Sequence, residues 1–343
     1  MIAPTTHAFA AGDVVLQCGI TLTDARIVYD VYGQPDREGD NVILFPTRYG
    51  GSAADNRYLI GPGMALDPER WCIVVPNMLG NGVSSSPSNT AAPLDAVRFP
   101  LTTIHDNVVL QQRLLQEDLG VERLALVVGW SMGGQQAYEW ASWFPDRVSR
   151  AAILCGAAKT APHTYVFLEG MRAALTCDAA FAGGDYREPP VRGLRALGRA
   201  WAGWALSQTF YREHMYRDMG FATVEDFLVR YWEGLYLTRD ANNLVSMIRT
   251  WQHADVSANE RYRGDFAAAM GAIEADVLVM PGQTDLYFPP EDSEHEVSLL
   301  RRAHLMPIPS VWGHYAGGGR APEDVAFIDD ALRQIMGVRA QSP

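Results

Sequence analysis

The stretch Leu124-Ala-Leu-Val-Val-Gly-Trp-Ser-Met-Gly-Gly-Gln-Gln-Ala-Tyr-Glu-Trp-Ala141 decides the fold. Leu124 to Val128 is a short apolar run with the β-branched content of a buried strand. Gly129-Trp130-Ser131-Met132-Gly133 follows and fits Gly-x-Ser-x-Gly, and a helix-compatible segment comes next. Strand, tight turn and helix in that order are the context of a nucleophile elbow. Such a turn holds its central residue in a sparsely populated backbone geometry. Flanking glycines are needed where a Cβ would clash between strand and helix. The turn lifts the Ser131 hydroxyl clear of the sheet edge. It also aims the first N–H groups of the helix, starting at Met132, at whatever Ser131 attacks.

Working outward, the chain alternates strand and helix signals. Val14 to Leu16, Leu22 and Ala25 to Tyr32 read as opening strands. Asn41 to Phe45 and Trp71 to Val75 are continuous apolar runs that read as buried strands. The first ends in the glycine-rich loop Pro46-Thr-Arg-Tyr-Gly-Gly-Ser52, the second in a long loop of small residues, 76–89. Thr103 to Leu119 has helical spacing, with an N-cap at Thr102 or Thr103. Pro145 ends the elbow helix. Ala151 to Cys155 is a further strand, and Asp276 to Met280 another. Leu305 to Pro309 reads as a last, weak strand, and Ala321 to Met336 as a closing amphipathic helix. Between about Ala161 and Ala268 the strand rhythm disappears and Ala, Leu, Arg, Trp and Tyr recur at helical spacing. The expected fold is an α/β-hydrolase fold, a mostly parallel sheet covered by helices on both faces. Residues 1–160 and 269–343 form its core, and 161–268 an inserted helical cap or lid.

Composition narrows the functions. A chain of 343 residues, 48% hydrophobic, is long enough for one large core with an insertion. The formal net charge of −12 makes nucleic acid and anionic membranes poor partners. The four cysteines are widely spaced, and Cys72 and Cys155 sit in apolar runs as small core residues. No metal-ligand pattern is present. The N-terminal residues lack a basic region before a long apolar one, and no run reaches the roughly 20 apolar residues of a membrane span. A cytoplasmic protein acting on a small molecule is expected.

A serine hydroxyl is a weak nucleophile until a base takes its proton, and the base needs an orienting carboxylate. After an elbow, the acid and then the histidine follow along the chain. Asp285 lies just beyond the strand ending at Met280, in Pro281-Gly-Gln-Thr-Asp-Leu-Tyr-Phe-Pro-Pro290. His314 lies beyond the last strand, in Ser310-Val-Trp-Gly-His-Tyr-Ala-Gly-Gly318. The expected roles are Ser131 nucleophile, His314 general base and then acid, and Asp285 orienting the imidazole. Asp276 starts a strand at the opposite edge, and Glu291 and Asp292 suit a helix N-terminus. His295 lies among charges on a helix, and His304 precedes a strand at the wrong edge. The oxyanion hole needs two N–H donors. Met132 is expected to supply one and the loop after Phe45 the other, from Arg48, with Tyr49 next. His163 and Tyr165 follow the strand ending at Cys155 and are weaker candidates for facing the site. Most cap aromatics are expected in packing, with a minority lining an acyl or acceptor pocket.

These motifs resemble the homoserine O-acetyltransferase family of α/β-hydrolases. The family elbow Gly-Gly-Ser-Met-Gly-Gly-Met-Gln with Glu-Trp-Ala is matched by Gly129-Trp-Ser-Met-Gly-Gly-Gln-Gln136 with Glu139-Trp-Ala141. Leu59-Ile-Gly-Pro-Gly63, Asn77-Met-Leu-Gly80, Phe144 to Val148, Arg239-Asp-Ala-Asn242 and Asp285-Leu-Tyr-Phe-Pro-Pro290 also have counterparts. The resemblance spans residues 40 to 335. It implies a cap over the catalytic serine, an acyl-enzyme with acetyl-CoA as donor and no bound cofactor, and a homodimer built on the cap.

Three departures bear on the acceptor. The family has Gly-His-Asp at the catalytic histidine, where its Asp helps hold the amino acid. Here the run is Gly313-His314-Tyr315. Trp130 replaces the second elbow glycine, and Pro46-Thr-Arg-Tyr-Gly50 replaces His-Ala-Leu-Thr-Gly. Trp130, Tyr49 and Tyr315 are thus expected to shape the substrate pocket. Losing a carboxylate partner for an ammonium group removes a contact of about 1.5–3 kcal/mol, tenfold or more in preference. The expected activity is O-acyl transfer to an acceptor other than homoserine. The alternative is hydrolysis of a small ester, thioester or amide. A non-catalytic ligand-binding role is the third reading, opposed by the intact Ser131, Asp285 and His314 set.

Overall fold

The computed structural model describes residues 3–37 and 39–337. β1 (Thr5–Val15) and β2 (Thr21–Tyr32) form an antiparallel pair at one edge, and β2 pairs antiparallel with β4 (Cys72–Pro76). The remaining ladders are parallel, through β3 (Val42–Leu44), β5 (Leu126–Trp130), β6 (Arg150–Leu154), β7 (Asp276–Met280) and β8 (Ala303–Leu305). The spatial order is β1-β2-β4-β3-β5-β6-β7-β8. β4 lies on one side of β3 and β5 on the other, so the chain reverses direction across the sheet there. In open α/β sheets, ligands bind at that switch point.

Residues along each central strand alternate between two cores, as a two-residue repeat requires. Leu126, Val128, Ala152, Leu154, Leu278 and Met280 pack with Ile328 and Leu332 of the closing helix. Val127, Ala151, Ile153, Val277 and Val279 pack with Val108, Leu114, Ala137 and Tyr138 on the other face. These last belong to α1 (Ile104–Leu119) and α2 (Met132–Trp143). Thr103 caps α1: its hydroxyl accepts from Asp106 N at 3.1 Å, and the Asp106 carboxylate accepts from Thr103 N at 2.8 Å. Such a reciprocal cap is worth about 1 kcal/mol.

The cap leaves the sheet after β6. It comprises α3 (Pro162–Thr176), α4 (Val191–Ala205), the short α5 (Gln208–Arg212), α6 (Val224–Phe227) and α7 (Gly234–Leu237), then α8 (Ala241–Gln252). A π-helical turn, Leu228–Glu233, joins α6 to α7. The chain rejoins the core before residue 268. Arg261 and Tyr262 bond the carbonyls of Trp143 and Ser142, and Ser142 Oγ donates to Ala269 O in α9 (Phe266–Gly271). α10 (Pro290–Leu299) and α11 (Pro322–Met336) complete the layers.

Two strand expectations shift. β1 runs from Thr5, ahead of the expected Val14, because an edge strand with one exposed face carries few apolar residues. The last strand is Ala303–Leu305, not Leu305 to Pro309, and contains His304. Pro307 and Pro309 lack the N–H a ladder needs, and only the isolated bridge Gly282–Ile308 continues the pairing. Cys72 and Cys155 are buried, as expected. Among the described residues no helix is long and apolar enough to cross a membrane.

Candidate active site

Ser131 stands between β5 and α2 with φ 60° and ψ −125°, a conformation that L side chains rarely adopt. It is held there from both sides. Ser131 N donates to Leu154 O at 2.9 Å, and Ser131 O accepts from Gln135 N at 3.1 Å. A Cβ on Gly129 would lie 2.0 Å from Gly133 O, so strand and helix meet only if residue 129 is glycine. Gln136 Nε2 donates to Thr47 O at 2.8 Å and ties the elbow helix to the loop after β3. That tie was not anticipated from sequence. The repeated Gln135-Gln136 facing a buried helix side was the available signal.

Asp285 and His314 meet across the loops after β7 and β8. Asp285 Oδ2 lies 2.8 Å from His314 Nδ1, while Oδ1 accepts from Tyr287 N at 2.8 Å and Phe288 N at 3.3 Å. Both side chains are buried. Ionised, Asp285 accepts three hydrogen bonds, which fixes the imidazole proton on Nδ1 and leaves Nε2 free as a base. The imidazole is boxed by rings: Tyr287 at 4.6 Å, Trp130 at 5.2 Å and Phe288 at 5.6 Å between centroids. Trp130 Nε1 also donates to His314 O at 3.1 Å. Added Cβ atoms on Gly317 and Gly318 would fall 2.6 and 2.4 Å from the Trp130 ring, so this glycine pair makes room for the indole.

Ser131 and His314 line one cavity of about 110 Å³. A closed Ser131 Oγ–His314 Nε2 hydrogen bond, expected from sequence, is not among those the described residues form; such bonds often tighten only with substrate. Met132 N and Arg48 N make no hydrogen bond to other described residues and are available as donors to a carbonyl oxygen. Trp130, Arg48, Tyr49 and Tyr315 all line the cavity. The Arg48 guanidinium stacks 4.6 Å from the Trp130 centroid, donates to Tyr49 O at 3.0 Å and lies 3.7 Å from Asp55. Burial pushes the Asp55 carboxyl up, but Arg48, the Ser52 hydrogen bonds and Arg239 outweigh it and hold it below its ordinary value. Tyr315 stacks on Trp232 of the cap at 5.9 Å and 6°. Burial raises the phenol pKa of Tyr49, Tyr236, Tyr287 and Tyr315, so all four stay neutral donors.

The cap closes the cavity with Trp201, Trp232, Tyr236 and Trp251. Sequence reasoning placed these among the cap aromatics without separating lining from packing. It missed Tyr287, Arg239 and Arg320, which also line it. Tyr287 could have been found from its place two residues after the acid. His163 and Tyr165 do not reach the site: both are exposed, and Tyr165 lines a separate, larger cavity of about 610 Å³ beside α8. That cavity contains neither Ser131, Asp285 nor His314.

The fold, the elbow and an Asp285–His314 pair sharing a cavity with Ser131 define a class, and comparison with known proteins agrees. Residues 40–317 match the family described as alpha/beta hydrolase fold. The chain belongs to that family, with homoserine O-acetyltransferase-like relatives, and it is an enzyme. It is 36% identical over 328 residues to the ethyl acetate hydrolase of Pseudomonas veronii, covering 95% of this chain and 93% of the relative. It is 33% identical to the homoserine O-acetyltransferase of Symbiobacterium thermophilum, covering 94% and 91%. Among solved structures, the acetyl esterase MekB superposes with a TM-score of 0.95 at 35% identity, covering 97% of each chain.

Proposed function

We propose that the protein hydrolyses short-chain carboxylic esters through a Ser131 acyl-enzyme. The observation that carries this reading is the cavity: about 110 Å³, set on Ser131 and His314 and walled by aromatic rings. This is smaller than the pockets of roughly 300–1,000 Å³ that take drug-sized ligands, and it suits an acetyl-sized acyl group. The similarity to an ethyl acetate hydrolase and an acetyl esterase supports the same reading.

In the first half-reaction His314 Nε2 takes the Ser131 proton as Oγ attacks the ester carbonyl. The oxygen that becomes anionic is met by Met132 N and Arg48 N. His314 then returns the proton to the departing alcohol. In the second half-reaction His314 deprotonates the water that attacks the acyl carbon, then returns that proton to Ser131 Oγ as the C–Oγ bond breaks and the acid departs. Water is favoured over an amino-acid acceptor because Asp55 is the only carboxylate lining the cavity among the described residues, and Arg48 and Ser52 already engage it. Tyr315 offers no anion to an ammonium group.

The test follows p-nitrophenyl acetate, butyrate and octanoate turnover, with acetyl-CoA plus homoserine as a parallel arm. Turnover falling steeply beyond butyrate, and lost with fluorophosphonate labelling in Ser131→Ala, is the expected result. A Ser131 acetyl adduct that persists in water and is cleared only by an added alcohol would overturn hydrolysis in favour of acyl transfer.

A further inference from the structure

The cavity at Ser131 has a charge that a neutral alkyl acetate does not use. Three guanidinium side chains line it, Arg48, Arg239 and Arg320, against the single carboxylate of Asp55. Arg48 is taken up by Asp55, Tyr49 O and the Trp130 face. Arg320 lies over the rings of Tyr231 and Tyr315. The Arg239 guanidinium makes neither an ion pair, nor a hydrogen bond, nor a ring contact with any other described residue. It is half-buried, two residues beyond the end of α7, and the Asp55 carboxyl feels its charge without pairing with it. In a chain of net charge −12, a low-dielectric cleft with this excess of cations concentrates field lines on an incoming anion.

We propose that the preferred substrate is a short ester bearing a carboxylate, and that Arg239, backed by Arg48 and Arg320, receives that carboxylate while Ser131 addresses the ester. This deepens the hydrolase reading and rests on it for the chemistry, although binding can be tested without turnover. The probes are acetoxyacetate and acetoxyacetamide, which have the same shape and differ in charge. Each is titrated into Ser131→Ala protein, following the fluorescence of the lining tryptophans. Acetoxyacetate is expected to bind at least tenfold more tightly, with the advantage shrinking as salt is raised. Arg239→Gln in the same background should bring the two affinities together, and Arg239→Lys should restore part of the difference. Equal affinities, or no binding of either probe, in Ser131→Ala alone overturn the proposal, whether or not the arginine variants fold. Wild-type turnover of p-nitrophenyl acetate reports separately on hydrolysis. Its absence beside a clear anion preference would sink the hydrolase reading and leave the anion site standing.

Discussion

Replacing Asp285 by Asn tests the catalytic assignment where the geometry is most constraining. The substitution changes one atom, yet the site allows it one good orientation. Two backbone donors, Tyr287 N at 2.8 Å and Phe288 N at 3.3 Å, face Oδ1. An Asn side chain must turn its carbonyl toward them and its NH₂ toward His314 Nδ1. Nδ1 then becomes an acceptor, the ring proton moves to Nε2, and the base can no longer take the serine proton. Turning the amide over restores the tautomer but faces donor against donor twice, losing two hydrogen bonds of about 0.5–1.5 kcal/mol each. The imidazolium formed during the reaction also loses a charged partner worth about 1.5–3 kcal/mol. Together these amount to about 2.5–6 kcal/mol, or roughly seventy- to twenty-five-thousand-fold in kcat. Stopped-flow turnover of p-nitrophenyl acetate, on protein shown by its melting curve to be folded, gives the number. Activity of Asp285→Asn within fivefold of wild type would refute the argument and move the acid elsewhere.

Gly129→Ala drives a Cβ to 2.0 Å from Gly133 O and should cost at least about 3 kcal/mol in urea unfolding or abolish soluble protein. Gly203→Ala, in α4 with nothing within 4 Å, should be neutral or stabilising by up to about 1 kcal/mol. Trp130→Phe keeps a ring against His314 but removes the 3.1 Å bond to its carbonyl, so kcat/KM should fall about fivefold, for a loss of about 1 kcal/mol. Glu296 of α10 is buried and accepts from Ala158 N at 2.7 Å, and burial raises its carboxyl from 4.5 to about 8. A carboxyl whose folded pKa is raised binds its proton more tightly in the folded state. Its contribution is therefore whole below pH 4.5 and lost as pH rises through about 8. Urea titrations at pH 5 and pH 8 should show a smaller difference in Glu296→Gln than in wild type; an unchanged difference would clear Glu296 of the effect.

The elbow was legible in the sequence because its determinants are local: an apolar strand, glycines that tolerate close approach, and a helix, all within eighteen residues. Asp285 and His314 were legible for a related reason. Each sits just past a β-run in a loop whose place at the sheet edge follows from strand order. The wall of the cavity was not. Helical periodicity says that Trp201, Trp232 and Trp251 bury a face, but it does not say whether the face meets another helix or the serine. Arg239 was hidden inside a run that matched a family motif, and Arg320 in a glycine-rich tail of the histidine loop. The role of either depends on the cap folding back over residues more than one hundred positions away for Arg48 and Ser131. The late strand was misplaced for a simpler reason: Leu305 to Pro309 has the hydropathy of a strand, but Pro307 and Pro309 cannot donate to a ladder.

The fit of the Trp130 indole against Gly317 and Gly318 restricts the order in which this site can evolve. With the indole present, any side chain at 317 or 318 collides with it. With a small residue at 130, Gly318 is released from that clash, whereas a Cβ at 317 still meets Cys155 Sγ at 3.1 Å, and a large side chain arising at 318 would then bar the tryptophan from returning. Descendants of this chain are therefore held to a ratchet: position 130 must shrink before the histidine loop can diversify. A library that randomises 317 and 318 alone should be almost wholly inactive, whereas one that also randomises 130 should recover function chiefly through linked pairs.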